Sequence, residues 1–326
     1  MRLRLTSPVL GVAVAAAVGL AGPAPSVGAA GTAGTHRTTS VSGSAAPGLR
    51  TAPSSPSRLF GRYPGTAPRQ CSVLVAGVRP DTALVGFRYE KGRVHSEMAG
   101  RIGWVPRTMT TVTDLSAAAT VFWAIREDGG LYRITVSGGA GGVRVAADRV
   151  ATGWGGIRVL AAGSPTGDTG VTYLYGLTTN GGLKRYVTSA DGRQLRSAHT
   201  IATHGWAEVR TLSFDRVRLT GPGARPREAD VMLATTGSGR LAEFSFPRTT
   251  HLLWTRTVLR TSTWQVFAAV NSGYCDSDQP SRAIVAVKPD GAAYLYVDQN
   301  GNDGWGGDIG RGLKVATWSG ATLYNQ

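Results

Sequence analysis

Residues 71–326 are written in one grammar five times over, and that repetition limits what the chain can become. Each segment opens with an apolar strand, turns through a Gly- or Asp-containing pair and continues as a strand ending in an aromatic. A variable loop, a third strand, a Gly-Trp-like pair and a fourth apolar strand follow. The second segment spells these parts VFWAIRED (121–128), GGLYRITV (129–136), VRVAADRVAT (143–152), Gly153-Trp154 and IRVLAAG (157–163). The third gives VTYLYGLT (171–178), NGGLKRYV (180–187), HTIAT (199–203), Gly205-Trp206 and VRTLSF (209–214). The fourth gives VMLATT (231–236), GSGRLAEFSF (237–246), WTRTVLRT (254–261), Trp264 and VFAAV (266–270). The fifth gives AIVAVK (283–288), PDGAAYLYV (289–297) and IGRGLKVATW (309–318), with Leu313 in the tryptophan phase. The first is degenerate: SVLVAGV (72–78), PDTALVGFRY (80–89), Gly103-Trp104 and MTTVTDL (109–115).

On this alignment Trp104, Trp154, Trp206, Trp264 and Leu313 fall 50, 52, 58 and 49 residues apart. A period near 50 with about four short strands per unit marks propeller blades. Gly, Asp and Asn turns between the strands fit antiparallel hairpins, and no helical periodicity recurs in 71–326. The expected fold class is all-β, a five-bladed β-propeller with about four antiparallel strands per blade. The strings DGGLYRI and ATGWGGIRVLAAG then carry a family likeness. An inner apolar strand, an Asp/Asn-Gly-Gly-Leu-Tyr-like hairpin and a downstream Gly-Gly-Trp-like turn resemble the tachylectin-type five-bladed propeller lectins, over nearly all of 71–326. That resemblance implies binding of N-acetylated amino sugars at several equivalent, weak sites.

The rest of the chain reads differently. Arg2 and Arg4, the apolar run from Val9 to Leu20 and small residues ending in Val27-Gly28-Ala29 make 1–30 an export signal peptide, too short in its apolar part to span a bilayer. Residues 31–70 are rich in Ala, Gly, Ser, Thr and Pro and lack acids, the composition of a disordered leader. A secreted, extracellular protein with no membrane insertion is expected. The net charge of +15 belongs partly to this leading stretch. Seven arginines precede residue 71, leaving 28 basic against 20 acidic residues in 71–326, a net of +8 with no basic block. No nucleic-acid partner is therefore expected; the anticipated partners are glycans or cell-surface polysaccharide, met by a monomer. The two cysteines, Cys71 and Cys275, are an even count in an exported chain and precede the first and fifth apolar strands at similar phases. A disulfide between neighbouring blades of a closed ring is expected, closing about 205 residues, with roughly 5 kcal/mol as an upper figure.

Asp81, Asp128, Asn180, Ser238 and Asp290 share one hairpin phase, where a polar side chain can either bond a sugar or stabilise its own turn. The second, third and fifth segments are the most intact, so Asp128, Asn180 and Asp290 are the ligand-binding candidates. Trp154 and Trp206 join them, since an indole face can stack on a pyranose; filling the wedge between blades is the competing role. Trp123 reads as core. Catalysis is not expected: the histidines at 36, 95, 199, 204 and 251 share no repeat phase, and Gly237-Ser238-Gly239 is a hairpin turn without a strand-to-helix elbow. No metal and no cofactor are expected. The stretch DQNGNDGWGGD (298–308) alternates Asx residues as a calcium loop would but has Ile309 where the bidentate Glu belongs, so a polar turn is the reading. The function expected is a carbohydrate-binding propeller; the alternative is a structural or protein-interaction propeller with decayed sugar sites. The C-terminal ATLYN (321–325) is a possible closing strand whose role the sequence leaves open.

Overall fold

A computed structural model describes residues 71–326 apart from 113–118, 140–141, 167–169, 221–226, 250–253, 276–280 and 326. The expected signal peptide and leader lie outside the described residues, all of which belong to one unit, Phe60–Gln326. The structure is all-β. β1 (Cys71–Val78), β2 (Ala83–Glu90) and β3 (Arg93–Arg101) form an antiparallel meander. Three four-stranded antiparallel sheets follow in chain order. They are β4 (Thr108–Val112) with β5 (Ala119–Ile125), β6 (Leu131–Gly139) and β7 (Gly142–Ala151); β8 (Ile157–Ala162) with β9 (Tyr173–Thr178), β10 (Leu183–Thr188) and β11 (Leu195–Ala202); and β12 (Val209–Thr220) with β13 (Arg227–Thr236), β14 (Leu241–Pro247) and β15 (Thr255–Arg260). A last meander, β16 (Ala269–Cys275), β17 (Arg282–Val287), β18 (Ala292–Asp298) and β19 (Leu313–Thr317), is joined to the first. β1 pairs β16 at Cys71–Cys275 and Ser72–Tyr274, and pairs the short β20 (Thr322–Leu323) at Gly77–Leu323 and Val78–Thr322. The result is one eight-stranded sheet, with the ATLYN segment supplying its last strand. Cys71 and Cys275 form the expected disulfide.

The strand frame differs by one from the sequence reading. The apolar strand after each Gly-Trp-like pair does not complete its own segment's sheet; β8, for instance, pairs forward with β9. The Gly-Trp turn is therefore the crossing between sheets, and each meander begins immediately after it. Burial grades across each meander. β17 is buried along its whole length, whereas the last strands β3, β11 and β15 are edges, half-buried or exposed at nearly every position. Apolar runs in the early strands fit this, because both of their faces are covered.

Five apolar clusters among the described residues fill the seams between consecutive meanders. In one, Tyr175 and Leu177 of β9 meet Met232, Phe244 and Phe246 of β13 and β14. Hydrogen bonds from side chains lock the first strands together. The Leu160 and Ala162 N–H groups donate to Thr108 and Thr110 Oγ1 (3.1 and 3.2 Å), and the Tyr324 hydroxyl donates to the Pro106 carbonyl (2.6 Å). The Val270 N–H donates to Asn325 Oδ1 at 3.0 Å. A repeating arginine reaches across three seams at the crossings. Arg107 donates to the carbonyls of Trp154 (3.0 Å) and Ile157 (2.7 Å), Arg158 to those of Trp206 (2.7 Å) and Val209 (2.6 Å), and Arg210 to that of Gln265 (3.0 Å).

Candidate functional site

The hairpins carrying the polar candidates are one device built five times. They are Arg79–Ala83, Arg126–Gly130, Thr178–Gly182, Thr236–Arg240 and Lys288–Ala292. In each, the first residue's N–H donates to the fifth residue's carbonyl and the fourth residue's N–H donates back to the first residue's carbonyl, at 2.9 to 3.1 Å. This is a three-residue loop closed by a left-handed residue. Gly129, Gly181, Gly239 and Gly291 take that place with φ between 73° and 91°; Thr82 takes it in the first hairpin at 68°. The third position is Asp81, Asp128, Asn180, Ser238 or Asp290. Asp81, Asp128 and Asp290 each accept through Oδ1 from the N–H two residues on, at 3.3, 2.9 and 2.9 Å. In the other two hairpins Thr178 and Thr236 do this work instead, accepting from Gly182 and Arg240 at 2.8 and 3.1 Å. Thr178 in turn donates to Asn180 Oδ1, and Thr236 bonds Ser238 at 2.9 Å.

The tryptophan phase is anchored to these turns. The N–H groups of Trp154, Trp206, Trp264 and Trp318 donate to the carbonyls of Gly129, Gly181, Gly239 and Gly291 at 2.8 to 3.0 Å, and Ile102 does the same to Thr82 at 3.1 Å. Trp318, not Leu313, is thus the fifth member, and Ile102, not Trp104, the first. Leu313 lies on the outer strand β19, opposite Leu295. All five members are at most 8 % exposed. Four of them pack against the aromatic five positions past the left-handed residue of the adjoining hairpin: Trp154, tilted, on Tyr186 (4.2 Å between centroids), Trp206, tilted, on Phe244 (4.6 Å), Trp264, tilted, on Tyr296 (4.7 Å) and Trp318, stacked, on Phe87 (4.9 Å). Ile102 and Ile134 share one cluster in the same way. Trp154 and Trp206 therefore fill seams. Tyr186 packs on Trp154, and Phe244, Phe246 and Trp254 pack around Trp206, which is the wedge-filling role weighed above against sugar stacking. Trp123, 1 % exposed, is core.

Two clefts open beside these hairpins. One, of about 410 Å³, is edged by Thr178, Asn180, Lys184, Tyr186, Thr200 and Thr203, with the main chain around Gly153–Ile157 as its other wall. Tyr186 is half-buried, its inner face resting on Trp154, and burial raises its phenol above the usual value. The second, of about 320 Å³, lies between Lys288–Gly291 and Trp318–Leu323 and includes Asp290. Asp128 lines neither cleft, and its carboxylate is tied to Gly130. Sequence reasoning missed Tyr186, Lys184 and the threonines. The available signal was the aromatic that closes each hairpin's second strand.

Two ionic networks lie within seams. Asp230, fully buried, accepts from the Tyr175 hydroxyl (2.8 Å) and from Arg248 Nη2 (2.6 Å). Burial raises its pKa, against the opposing pull of Arg248. Arg282 bridges Asp215 (2.6 Å), Glu243 (3.0 Å) and Asp298 (2.8 Å). These carboxylates are committed to arginines that hold sheets together. In the 298–308 stretch the Asx side chains cap backbone N–H groups. Asn300 donates to Asp298 (3.2 Å) and Asp308 (2.9 Å), Asn302 to Asn300 (3.3 Å) and Trp305 to Asp303 (2.7 Å). Among the described residues no group of three or more His, Cys, Asp or Glu side chains is placed to hold a metal ion, and no helix is long and apolar enough to cross a membrane.

No family model and no curated relative matches this chain. Solved structures align with this chain at low identity. AofleA of Arthrobotrys oligospora aligns at 13 % identity over 78 % of this chain and 74 % of its own, with a TM-score of 0.44. The BP39L lectin of Burkholderia pseudomallei aligns at 14 % identity over 80 % and 70 %, with a TM-score of 0.42. The Aleuria aurantia lectin, a six-bladed β-propeller, aligns at 15 % identity over 76 % of each chain, with a TM-score of 0.41. Overlaps this partial assign neither a blade number nor a ligand to the present chain.

Proposed function

We propose that residues 71–326 form a five-bladed propeller that binds carbohydrate in the clefts at Thr178–Gly182 and Lys288–Ala292. β1 to β3 with β20 as first strand make one blade, the three separate sheets make three more, and β16 to β19 make the fifth. The five matching hairpins and five apolar seams support that count. The observation carrying the ligand reading is the cleft at Asn180. A tyrosine ring edge backed by Trp154, an amide, an ammonium and three hydroxyls converge in a space within the range of small-molecule sites. Such a surface offers apolar contact to a pyranose face and bonding partners to its hydroxyls. N-acetylated amino sugars are the ligands proposed, as the tachylectin-like hairpins imply, with Lys184 and Asn180 facing the acetamide. Single shallow sites of this kind bind near millimolar, about 4 kcal/mol each, and two on one molecule would add avidity on a glycan-coated surface. In this reading the protein is secreted by its signal peptide, carries 31–70 as a leader and meets its glycans as a monomer.

Titration of N-acetylglucosamine and N-acetylgalactosamine followed by NMR tests this. Saturable shifts at Asn180, Lys184 and Thr200 are expected, weakened in Lys184→Ala. If no amino sugar perturbs these residues at tens of millimolar, the structural or protein-interaction reading replaces it.

A further inference from the structure

Arg158, Arg210, Ala268 and Thr322 each stand four residues past a seam tryptophan, and Arg107 stands five past Ile102. The three arginines reach across to the next crossing, donating to the carbonyls of Trp154 and Ile157, of Trp206 and Val209, and of Gln265. Beside Thr322 the Tyr324 hydroxyl takes over this contact, donating to Pro106. Ala268 is too short to reach. In its place lies the cleft of about 320 Å³, walled by Ala268 and Val287, the hairpin Lys288–Gly291 and the next crossing, Trp318–Leu323. The cleft thus occupies the position that an arginine side chain fills at three other seams. Ala268, Asp290, Ser319, Gly320 and Thr322 are exposed, so the space opens to solvent.

Its acceptors are unfilled. The Ala321 carbonyl, in the position of Ile157 and Val209, takes no hydrogen bond among the described residues. The Trp318 carbonyl is turned towards the hairpin, since a Cβ added at Gly291 would collide with its oxygen. Asp290 uses Oδ1 on the Ala292 N–H (2.9 Å) and keeps Oδ2. It is the one carboxylate lining the cleft. The lining cation, Lys288, holds its Nζ 5.0 Å from the centre of the Tyr294 ring, and Tyr294 is not part of the cleft wall.

We propose that this cleft binds a guanidinium group, the chemistry of an arginine side chain. The proposal does not rest on the sugar reading, and it uses the crossing side of the cleft, not the hairpin rim. The guanidinium donates to the Ala321 carbonyl and to the Asp290 carboxylate, its planar fork of N–H groups serving two acceptors at once. The apolar stem packs on Ala268 and Leu323, which line the same space. A neutral urea of the same shape keeps the bond to the carbonyl and loses the charge attraction of Asp290.

The test is NMR titration of the full chain with N-acetylarginine amide and with free arginine, reading the amides of Ala268, Gly291, Ser319 and Gly320. Both should shift them saturably in the millimolar range; the tighter of the two names the source, polypeptide or free amino acid. N-acetylcitrulline amide, the neutral urea, should bind about tenfold more weakly. Ala268→Arg, which supplies the side chain from within, should abolish binding of both arginine probes. Should that variant not fold, the citrulline comparison still decides. Shifts absent up to about 100 mM, citrulline binding as tight as arginine, or undiminished binding by Ala268→Arg would overturn the proposal. None of these outcomes bears on the sugar titration at Asn180.

Discussion

The backbone N–H of Trp318 donates to the carbonyl of Gly291 at 2.8 Å, as Trp154, Trp206 and Trp264 do to the glycines of their own hairpins. That bond, and the stacking of Trp318 on Phe87, make it the fifth seam residue. Trp318→Ala should cost about 3–5 kcal/mol of stability, as for a buried indole. Trp104→Ala, which removes a half-buried ring outside this phase, should cost about 1 kcal/mol. Denaturant unfolding of both variants checks the ranking; equal losses would undo the phase assignment.

Thr82 is a β-branched residue held at φ 68°, where the four equivalent hairpins use glycine. A left-handed conformation costs an L residue roughly 1–2 kcal/mol, and glycine's larger chain entropy returns part of that. Thr82→Gly should therefore stabilise the protein by about 0.5–1 kcal/mol, read as a rise in thermal midpoint. A fall would mean that the threonine side chain makes a compensating contact.

The Cys71–Cys275 bridge spans 204 positions of sequence, while the strands it joins pair over two residue pairs. Replacing both cysteines with alanine should cost about 2–5 kcal/mol. Amide exchange should quicken first at Ser72 and Tyr274. Unchanged exchange there would show that the pairing of β1 with β16 holds by itself.

Asp308 is 8 % exposed, one of its oxygens has no hydrogen-bond partner, and its carboxyl is pushed up to about 6 by burial, aided by Asp298 and Asp303. A carboxyl whose folded value lies above its unfolded one holds its proton more tightly in the folded state. Its contribution to stability is therefore present at low pH and lost as pH rises from about 4 through about 6. Asp308→Asn removes the charge and can still accept from the Asn300 N–H. It should raise stability by about 1 kcal/mol at pH 7.5 and leave it nearly unchanged at pH 4. Unfolding curves at the two pH values test this, and an equal effect at both would exclude the charge as the cause.

Asp128 bonds the Gly130 N–H within its own turn. Asp128→Ala should cost about 0.5–1 kcal/mol in stability and leave sugar titrations at Asn180 unaltered. Loss of sugar binding there on this substitution would return Asp128 to the ligand-contacting group.

Much of the architecture was legible in the chain because hairpin chemistry is local. A polar residue followed by glycine, flanked by alternating apolar positions, specifies its own turn wherever it occurs. The pairing of Cys71 with Cys275 was readable for the same reason, from two positions of equal phase. What failed was the tryptophan register at the ends of the array. Trp104 and Leu313 fall at plausible intervals, yet the defining contact is with the left-handed residue of the preceding hairpin, which spacing alone does not show. The string Val150-Ala151-Thr152 before Gly153-Trp154 recurs as Val315-Ala316-Thr317 before Trp318, and would have placed the last member correctly. The candidate site was less readable. Its edges come from an outer strand, a hairpin and a crossing turn, and only the hairpin carries a repeated polar signature. The ionic seams around Asp230 and Arg282 were invisible, since each draws partners from two sheets, Tyr175 joining Asp230 and both Asp215 and Glu243 joining Arg282 from a neighbouring one.

Arg107, Arg158 and Arg210 grip main-chain oxygens of the next crossing, not its side chains. A peptide carbonyl is the same whatever residue bears it. Neighbouring units can therefore diverge in identity at those crossings without loosening the joint. Mutational tolerance should accordingly be high at exposed crossing positions such as Gly155, Ala207 and Gln265, and low at the three arginines.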